Sequence, residues 1–524
     1  MRSLLILAAL FTVSIVSAQQ RAYQVPEFAA TWSKPGEHPD HIMLNLTADP
    51  ATSASVTWRT SPKINEGYAE IAVADAAPKF WRNAKTLEAE TTTMDASRIM
   101  TAEVVSNYHS VTFTGLLPDT LYAYRVGNGK IWSEWIQFRT ASAEPKPFAF
   151  LYVGDAQNYI LELWSRLIRE GYRQAPDARF IIHAGDMIND AHSERQWHEW
   201  FTAGGWIHAM LPSVPLPGNH EFEPYTPEEK EQGIEHLSVQ WHPQFTLPTN
   251  GPTGLEETAY YLDYQDVRVV VLNSNEQQEE QVAWLDKVLA DNPSKWTVVT
   301  YHHPLFSASA GRDNEQLRAL WKPVFDKYQV DLSLQGHDHS YARGHLDASG
   351  ENLVAGVNTR DAAGTVYVVS VSGGKMYSLR PNGWDDFAGV TRDRAAENTQ
   401  LFQVIRVDGD TLSYEAYTAT GQLYDAFDLI KPTDGGPNRM VDRQQEALPE
   451  RRNDNTITYE DQLPEAIKRD VLARHPGYEF DGVRYADDPD FRGYYVQLEK
   501  GNMDMYLKID MDGKVLEERI VRDY

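Results

Sequence analysis

The chain has 524 residues, 42% of them hydrophobic, with 14 Trp and 27 Tyr: enough apolar side chain for buried cores in roughly two to four domains, which argues against a disordered protein. Its formal net charge of -27 argues against a nucleic-acid backbone as partner, because neutralising phosphates takes clustered Lys and Arg. With no cysteine, disulfides, thiolate metal sites and thiol-linked lipid are excluded, and stability must come from core size.

Arg2, an apolar run over residues 4–16 and the small residues of Val16-Ser17-Ala18 form a secretory signal at 1–18, too short to span a membrane. A secreted or periplasmic protein with no membrane span is expected. Residues 25–140 show short alternating runs at 55–58, 69–73, 109–113, 121–126 and 136–139, separated by turns and lacking a helical period, which predicts a β-sandwich. After a linker at 141–146 the texture changes. Residues 145–430 alternate apolar strands with amphipathic helices at 161–170, 194–201, 277–289 and 315–328, the sign of an α/β domain. Later strands are expected at 366–371, 401–407 and 412–417. Residues 431–455, rich in Pro, Gly, Asp, Arg and Gln without a period, read as a linker. In 456–524 a helix at 463–475, stopped by Pro476-Gly477, and strands at 482–485, 494–498 and 503–509 predict a small α+β domain.

The α/β segment carries the chemistry at its strand ends. These are Gly154-Asp155, Gly185-Asp186, Gly218-Asn219-His220-Glu221, His302-His303-Pro304, and Gly336-His337-Asp338-His339 running on to Tyr341 and Arg343. Two histidines one residue apart at the end of a strand project to the same side while Asp338 points away. Carboxyl ends of strands are where α/β sheets present ligands. Mixed carboxylate, amide and imidazole groups suit Fe, Mn or Zn better than Ca or Mg. Six or more such groups exceed what one ion needs. A pair sharing a carboxylate uses them naturally, and two ions about 3.5 to 4 Å apart can clamp the attacking and leaving oxygens of a phosphoryl group.

The ordered set Gly-Asp, Gly-Asp, Gly-Asn-His-Glu, His-x-Pro and Gly-His-x-His resembles the calcineurin-like metallophosphoesterases. The fuller His337-x-His339-x-Tyr341 is similar to the purple acid phosphatase branch. So is the turn Leu117-Pro118-Asp119-Thr120-Leu121-Tyr122-Ala123-Tyr124, which looks like part of the fibronectin type III-like domain preceding the catalytic domain there. The resemblance implies a multidomain protein: an N-terminal β-sandwich, a central α/β sandwich of two mixed sheets flanked by helices, and the small α+β domain. It implies Asp186 as bridging carboxylate, one metal on Asp155, Asp186 and His339, and the other on Asp186, Asn219, His302 and His337. His302 is chosen over His303 because the family's ligand stands two before a proline, here Pro304; His303 would hold the loop or face substrate. His220 would protonate the leaving alkoxide or contact a phosphate oxygen, with a metal-bound hydroxide as nucleophile. Glu221 would orient a ligand or His220. The tail resembles PepSY-like modules through Leu463-Pro464, His475-Pro476-Gly477 and the stretch Tyr506 to Val515, which implies a protein partner of unknown kind.

Two departures matter. The tyrosine whose phenolate colours purple acid phosphatases belongs three residues after the second Asp, where this chain has Asn189, so two divalent ions and no tyrosinate-iron colour are expected. Related branches place His two after the first Asp; here it is Gln157, whose amide oxygen could ligate. Tyr341 marks the resemblance and is not a ligand. Arg343 is open to phosphate contact or a surface ion pair. His192, His198 and His208 read as surface or helix contacts, Trp197, Trp200 and Trp206 as core, and Gly373-Gly374 as a tight turn. The expected function is that of an exported dinuclear-metal phosphohydrolase acting on small phosphate monoesters, with loops 221–233 and 246–257 setting monoester or diester choice. The alternatives are a phosphodiesterase on the same site, or a secreted binding protein with a degenerate phosphatase domain.

Overall fold

The structure, a computed structural model, describes residues 31–524 except 100, 103, 310–311, 348–350, 355–356, 381, 434–435, 445–446, 451–456, 459–462, 489–490, 501–502 and 523–524. The expected signal stretch at 1–18 lies outside the described residues. Among the described residues no helix is long and apolar enough to cross a membrane.

The N-terminal part is a β-sandwich. One layer joins Lys85–Glu88, Tyr68–Val73, Leu121–Gly127 and Ile136–Arg139, all antiparallel. The other joins Asp40–Asn45, Ala54–Thr60, Val105–Phe113 and Glu90–Asp95. Val56, Trp58, Phe113, Tyr124 and Phe138 fill the space between them. Ala54–Thr60 is buried at every position. Its outer face is covered by the next domain, with Ser55 and Thr57 donating to the carbonyls of Thr246 (3.0 Å) and Gln244 (2.5 Å). The two domains also share hydrogen-bonded strands, since Asp40–Asn45 continues onto Ser213–Pro215 at Asn45 and Ser213.

Two packed sheets make the central domain. In one, Phe148–Val153, Ala178–His183 and Ser213–Pro215 run parallel, and Leu401–Asp408, Thr411–Thr418 and Leu423–Ile430 extend it antiparallel from Phe148–Val153. In the other, Val267–Val271, Trp296–Thr300, Leu332–Gln335 and Val357–Val369 run parallel, flanked by Tyr260–Tyr264 and Tyr341–Asp347. Strands buried on both faces, such as Phe148–Val153, Val267–Val271 and Trp296–Thr300, read as mostly apolar runs without a regular polar alternation, as parallel sheets between layers require. Asn438–Asp442 pairs with both Val357–Val369 and Leu423–Ile430. It therefore belongs to the sheet, although its polar composition reads as linker: the vacant edge between two sheets selects a strand by its backbone.

The helix expected at 161–170 is a π-turn, Ile160–Trp164, running into Ser165–Gln174. Trp197 and Trp200 are core, but Trp206 is 52% exposed, its ring edge-on to Tyr172 at 4.8 Å. His192 and His208 are fully buried and not on the surface; His208 is a helix contact, its Nε2 3.3 Å from the Trp200 carbonyl. In the tail, Glu465–Arg474 packs Ile467 and Val471 against a five-stranded sheet. Its strands Glu479–Asp488 and Phe491–Lys500 are longer than expected, and Val515–Arg522 was unforeseen because its charged residues mask the alternation of an edge strand.

His109 sits inside the sandwich between the hydroxyls of Thr60 and Thr91, each at 2.8 Å, and stacks on Trp58. Burial pushes its imidazole down to about 4. In the unfolded chain it titrates near 6.5, so between about 4 and 6.5 the unfolded state binds more protons, and stability is lost as pH falls through that window. Comparison of thermal unfolding at pH 7 and pH 4.5 is therefore expected to show a smaller acid-induced drop in Tm for His109→Gln than for the unaltered chain; equal drops would contradict it.

Candidate metal centre

Because these strands are parallel within each sheet, their carboxyl ends open on one edge, and the two edges face each other across the site. Gly336 N donates to the His302 carbonyl (3.1 Å) and Asp155 N to the Gly185 carbonyl (3.1 Å), which ties the strand ends together. Gly185, at φ +84°, sits where a Cβ would come within 2.6 Å of Gly218 N and of the His302 ring. Asp155, Asp186, His337 and His339 all have positive φ, at 45°, 51°, 74° and 44°. Each costs on the order of 1 kcal/mol, a local strain that the surrounding contacts hold in place. The two histidines thus share a side because of this bent loop, not because of strand alternation. Asp338 does point away: its Oδ2 accepts from Ser307 Oγ (2.6 Å), Ala308 N (2.5 Å) and Ser309 N (3.1 Å).

At this edge two groups of side chains bring ligand-type atoms within 4.8 Å of one another, and they share Asp186: Asp155, Asp186 and His339 form one, Asp186, His302 and His337 the other; a third group, Asp40, His41 and His198, lies at the junction with the sandwich. Asn219 Oδ1 joins the second, 2.9 Å from His337 Nδ1 and 3.1 Å from His302 Nε2. The ring orientations are held from behind. His302 Nδ1 donates to the Ala184 carbonyl (2.8 Å) and His339 Nδ1 to the Lys375 carbonyl (3.0 Å), so both Nε2 atoms face inward. Burial holds His337 and His339 well below the usual imidazole range, hence neutral and able to ligate. Burial acts on His302 in the same direction, yet Asp186 at 3.1 Å outweighs it and pulls His302 up to about 9. Burial pushes Asp155 well up; the same burial acts on Asp186, but His302 and His220 hold that carboxyl below its ordinary range. Positive charge settles this cluster, and the mixed O,N donor set fits two transition-metal ions.

The remaining candidates divide. Gln157 reaches the centre, its Nε2 3.0 Å from Asp186 Oδ2 and 3.2 Å from His339 Nε2, while its Oε1 is buried without a partner. Turning the amide over would offer the oxygen as a ligand. His220 donates from Nδ1 to the Asn189 carbonyl (2.7 Å), and its backbone N donates to Asp186 (2.9 Å). It lines the adjoining cavity. Glu221 does not touch the His220 side chain. Its carboxylate instead accepts the backbone N–H groups of Asp186 (2.8 Å), Met187 (2.8 Å) and Gly218 (2.6 Å). His303, half-buried, meets Ser274 Oγ at 2.8 Å and lies against His337. Asn189 turns its amide to Asp190 (3.2 Å). Gly373-Gly374 receives the Asp155 loop, through hydrogen bonds to the carbonyls of Asp155 (2.7 Å) and Asn158 (3.1 Å).

Arg343 is neither a phosphate contact nor a surface residue. It is fully buried on Asp425 (2.7 and 2.9 Å), Asp393 (2.9 Å) and Asp442 (3.3 Å), with Tyr341 donating to the same Asp425 (2.6 Å). Sequence reasoning missed Arg312 and Tyr377, which lie in no motif. Arg312 donates to the His337 carbonyl (3.1 Å) and covers the Tyr377 ring at 4.7 Å, which in turn lies 4.7 Å from the His339 ring. Of the two loops expected to face substrate, 221–233 lines the cavities beside the centre, and 246–257 contributes nothing to them.

Glu221→Gln replaces one of the two accepting oxygens by an NH2, so at least one of the three N–H groups loses its acceptor and meets a donor, and zinc affinity measured by chelator competition is expected to fall roughly 10- to 100-fold; unchanged affinity would rule out this bracing role. Arg343→Met strands buried carboxylates and is expected to lower unfolding free energy in urea by about 3 to 5 kcal/mol; a loss below about 1 kcal/mol would contradict the burial of the network.

Residues 39–140 match the family model described as purple acid phosphatase, N-terminal domain, and residues 148–341 the one described as calcineurin-like phosphoesterase. The chain is 26% identical over 342 residues to an uncharacterized protein of Mycobacterium tuberculosis, covering 58% of this chain and 62% of that one. It is 25% identical over 281 residues to Fe(3+)-Zn(2+) purple acid phosphatase 12 of Arabidopsis thaliana, covering 50% and 58%. Each match thus spans less than two thirds of the relative's length. The purple acid phosphatase PPD1 from yellow lupin, Lupinus luteus, superposes with a TM-score of 0.60 at 19% identity, covering 76% of this chain and 75% of that one.

Proposed function

From a calcineurin-like phosphoesterase domain set behind a purple acid phosphatase N-terminal domain, the pairing of a metal-dependent phosphoric ester hydrolase, we propose that this chain cleaves phosphate monoesters at a centre of two divalent transition metals. The observation that carries the reading is the pair of ligand groups sharing Asp186. One ion would be held by Asp155, Asp186 and His339, with the Gln157 amide in reach, and the other by Asp186, Asn219, His302 and His337. When bound, the ions supply Lewis-acid charge to the phosphoryl oxygens and acidify water to near neutrality. With Asn189 at the colour-giving position and its amide engaged by Asp190, no phenolate reaches the centre from that loop, which favours divalent ions over ferric iron.

The chain's own residues do the rest. His220, its Nδ1–H committed to the Asn189 carbonyl, presents Nε2 toward the cavity and can pass a proton to the leaving oxygen. Arg312, fixed on the His337 carbonyl and Tyr377, adds positive charge at the rim. A diester reading has one observation in its favour: two cavities of ≈ 570 and ≈ 490 Å³ meet at Asn219, so both sides of a phosphorus centred there have room. Export rests on the leader-like residues 1–18, and a PepSY-like identity of the tail on its helix over an antiparallel sheet.

Asp186→Asn is expected to lower bound metal from two ions to one or none and kcat on nitrophenyl phosphate by more than about 100-fold, whereas His220→Asn is expected to keep both ions and lose roughly 10²- to 10⁴-fold in kcat. Elemental analysis beside kinetics reads both. Full activity in Asp186→Asn would sink the dinuclear reading, and turnover of the bis-nitrophenyl diester alone would replace the monoester reading with the diester one.

A further inference from the structure

The two cavities beside the centre share Asn219, Phe222 and Glu235. The larger carries Glu235, Glu276, Asp313 and Glu315 with no Lys or Arg in its lining. Asp313 is paired with Arg318 at 2.6 Å, and among the described residues no ion pair joins Glu235, Glu276 or Glu315. The smaller carries Asp190, Glu223 and Glu235 against one cation, Lys230. Burial, with Asp190 adding to it, pushes Glu223 up to about 7.

An independent observation points to a donor-bearing ligand. Asn189, 6% exposed, lines the smaller cavity, with Nδ2 donating to Asp190 and Oδ1 buried without a partner. Turning the amide over would set oxygen against the Asp190 carboxylate, so the orientation is fixed and the spare group is an acceptor. The acidic lining of both cavities therefore favours positive charge at the end of the substrate remote from phosphorus, the smaller cavity adds the spare Asn189 acceptor for an N–H or O–H donor, and the net charge of -27 acts in the same sense.

Resting on the phosphohydrolase reading, we propose that the substrate is a phosphate monoester of an amino alcohol, its cationic end held at Glu235, the carboxylate common to both cavities, with Glu276 on the side of the larger cavity and the Asn189–Asp190 pair on the side of the smaller. The ester bond is cleaved by water, giving inorganic phosphate and the free amino alcohol, and no further reactant is needed.

The test uses the metal-loaded full chain and four probes: phosphoethanolamine, glycerol 2-phosphate, 3-phosphoglycerate and nitrophenyl phosphate. The expected kcat/KM for phosphoethanolamine exceeds that for glycerol 2-phosphate by about tenfold, and 3-phosphoglycerate falls below it by a similar factor. The spread is expected to narrow as NaCl is raised toward 1 M, where screening acts within about 3 Å, and to close toward parity in the Glu235→Gln/Glu276→Gln double variant. A flat or reversed ranking with nitrophenyl phosphate turned over overturns the proposal, as does a ranking that survives the double variant. If nitrophenyl phosphate is untouched with two ions bound, it is the hydrolase reading that fails.

Discussion

Three carboxylates, those of Asp155, Asp186 and Glu221, are buried side by side at the junction of the two central sheets, and most of the site exists to make that arrangement tolerable. Burial of an unpaired carboxylate costs several kcal/mol, and like charges add to it. The protein answers with donors. Glu221 takes three backbone N–H groups, Asp155 takes the His337 N–H on both oxygens (2.8 Å each), and Asp186 takes the His220 N–H and the His302 imidazole. Most of those donors belong to backbone that carries a neighbouring candidate ligand. Satisfying the charges and placing the ligands are consequently one task, which is why the strand-end loops adopt positive φ where non-glycine residues ordinarily avoid it.

That coupling explains what could be read in the sequence. The strand-end residues were legible because parallel strands deliver their carboxyl ends to one edge, and short apolar runs followed by Gly-Asp or Gly-His mark those ends. The His-x-His spacing puts His337 and His339 on one side, but the physical cause is a loop bent at positive φ and not strand alternation. Arg343 was illegible because a buried arginine is recognisable only through its partners, and Asp393, Asp425 and Asp442 lie 50 to 99 residues away. Arg312 and Tyr377 act from loops with no periodic pattern. Asn438–Asp442 had the composition of a linker and became a strand because pairing is a property of backbone. Trp206 failed as core because residue type sets the odds of burial, while the helix face sets the outcome.

The sandwich bears on the centre through a continuous set of contacts. Arg59, fully buried on a sandwich strand, pairs with Asp40 (2.7 Å) and with Glu194 at the start of helix Glu194–Gly204. Glu194 favours the positive end of that helix, so the pair anchors the first turn from outside the domain. From the same turn Gln196 accepts the N–H groups of Asn189 (2.7 Å) and Asp190 (2.8 Å). Asn189 in turn offers its carbonyl to His220. His41 and His198, 2.9 Å apart, lie beside Arg59 in the same junction, which burial keeps largely uncharged on the imidazole side. Each contact is short and most are buried, leaving little slack between a sandwich strand and the imidazole placed to meet the leaving oxygen. The N-terminal domain is thus part of how the loop Asn189–Asp190 is held, and with it both His220 and the carboxylate-lined cavity that would receive the remote end of a substrate.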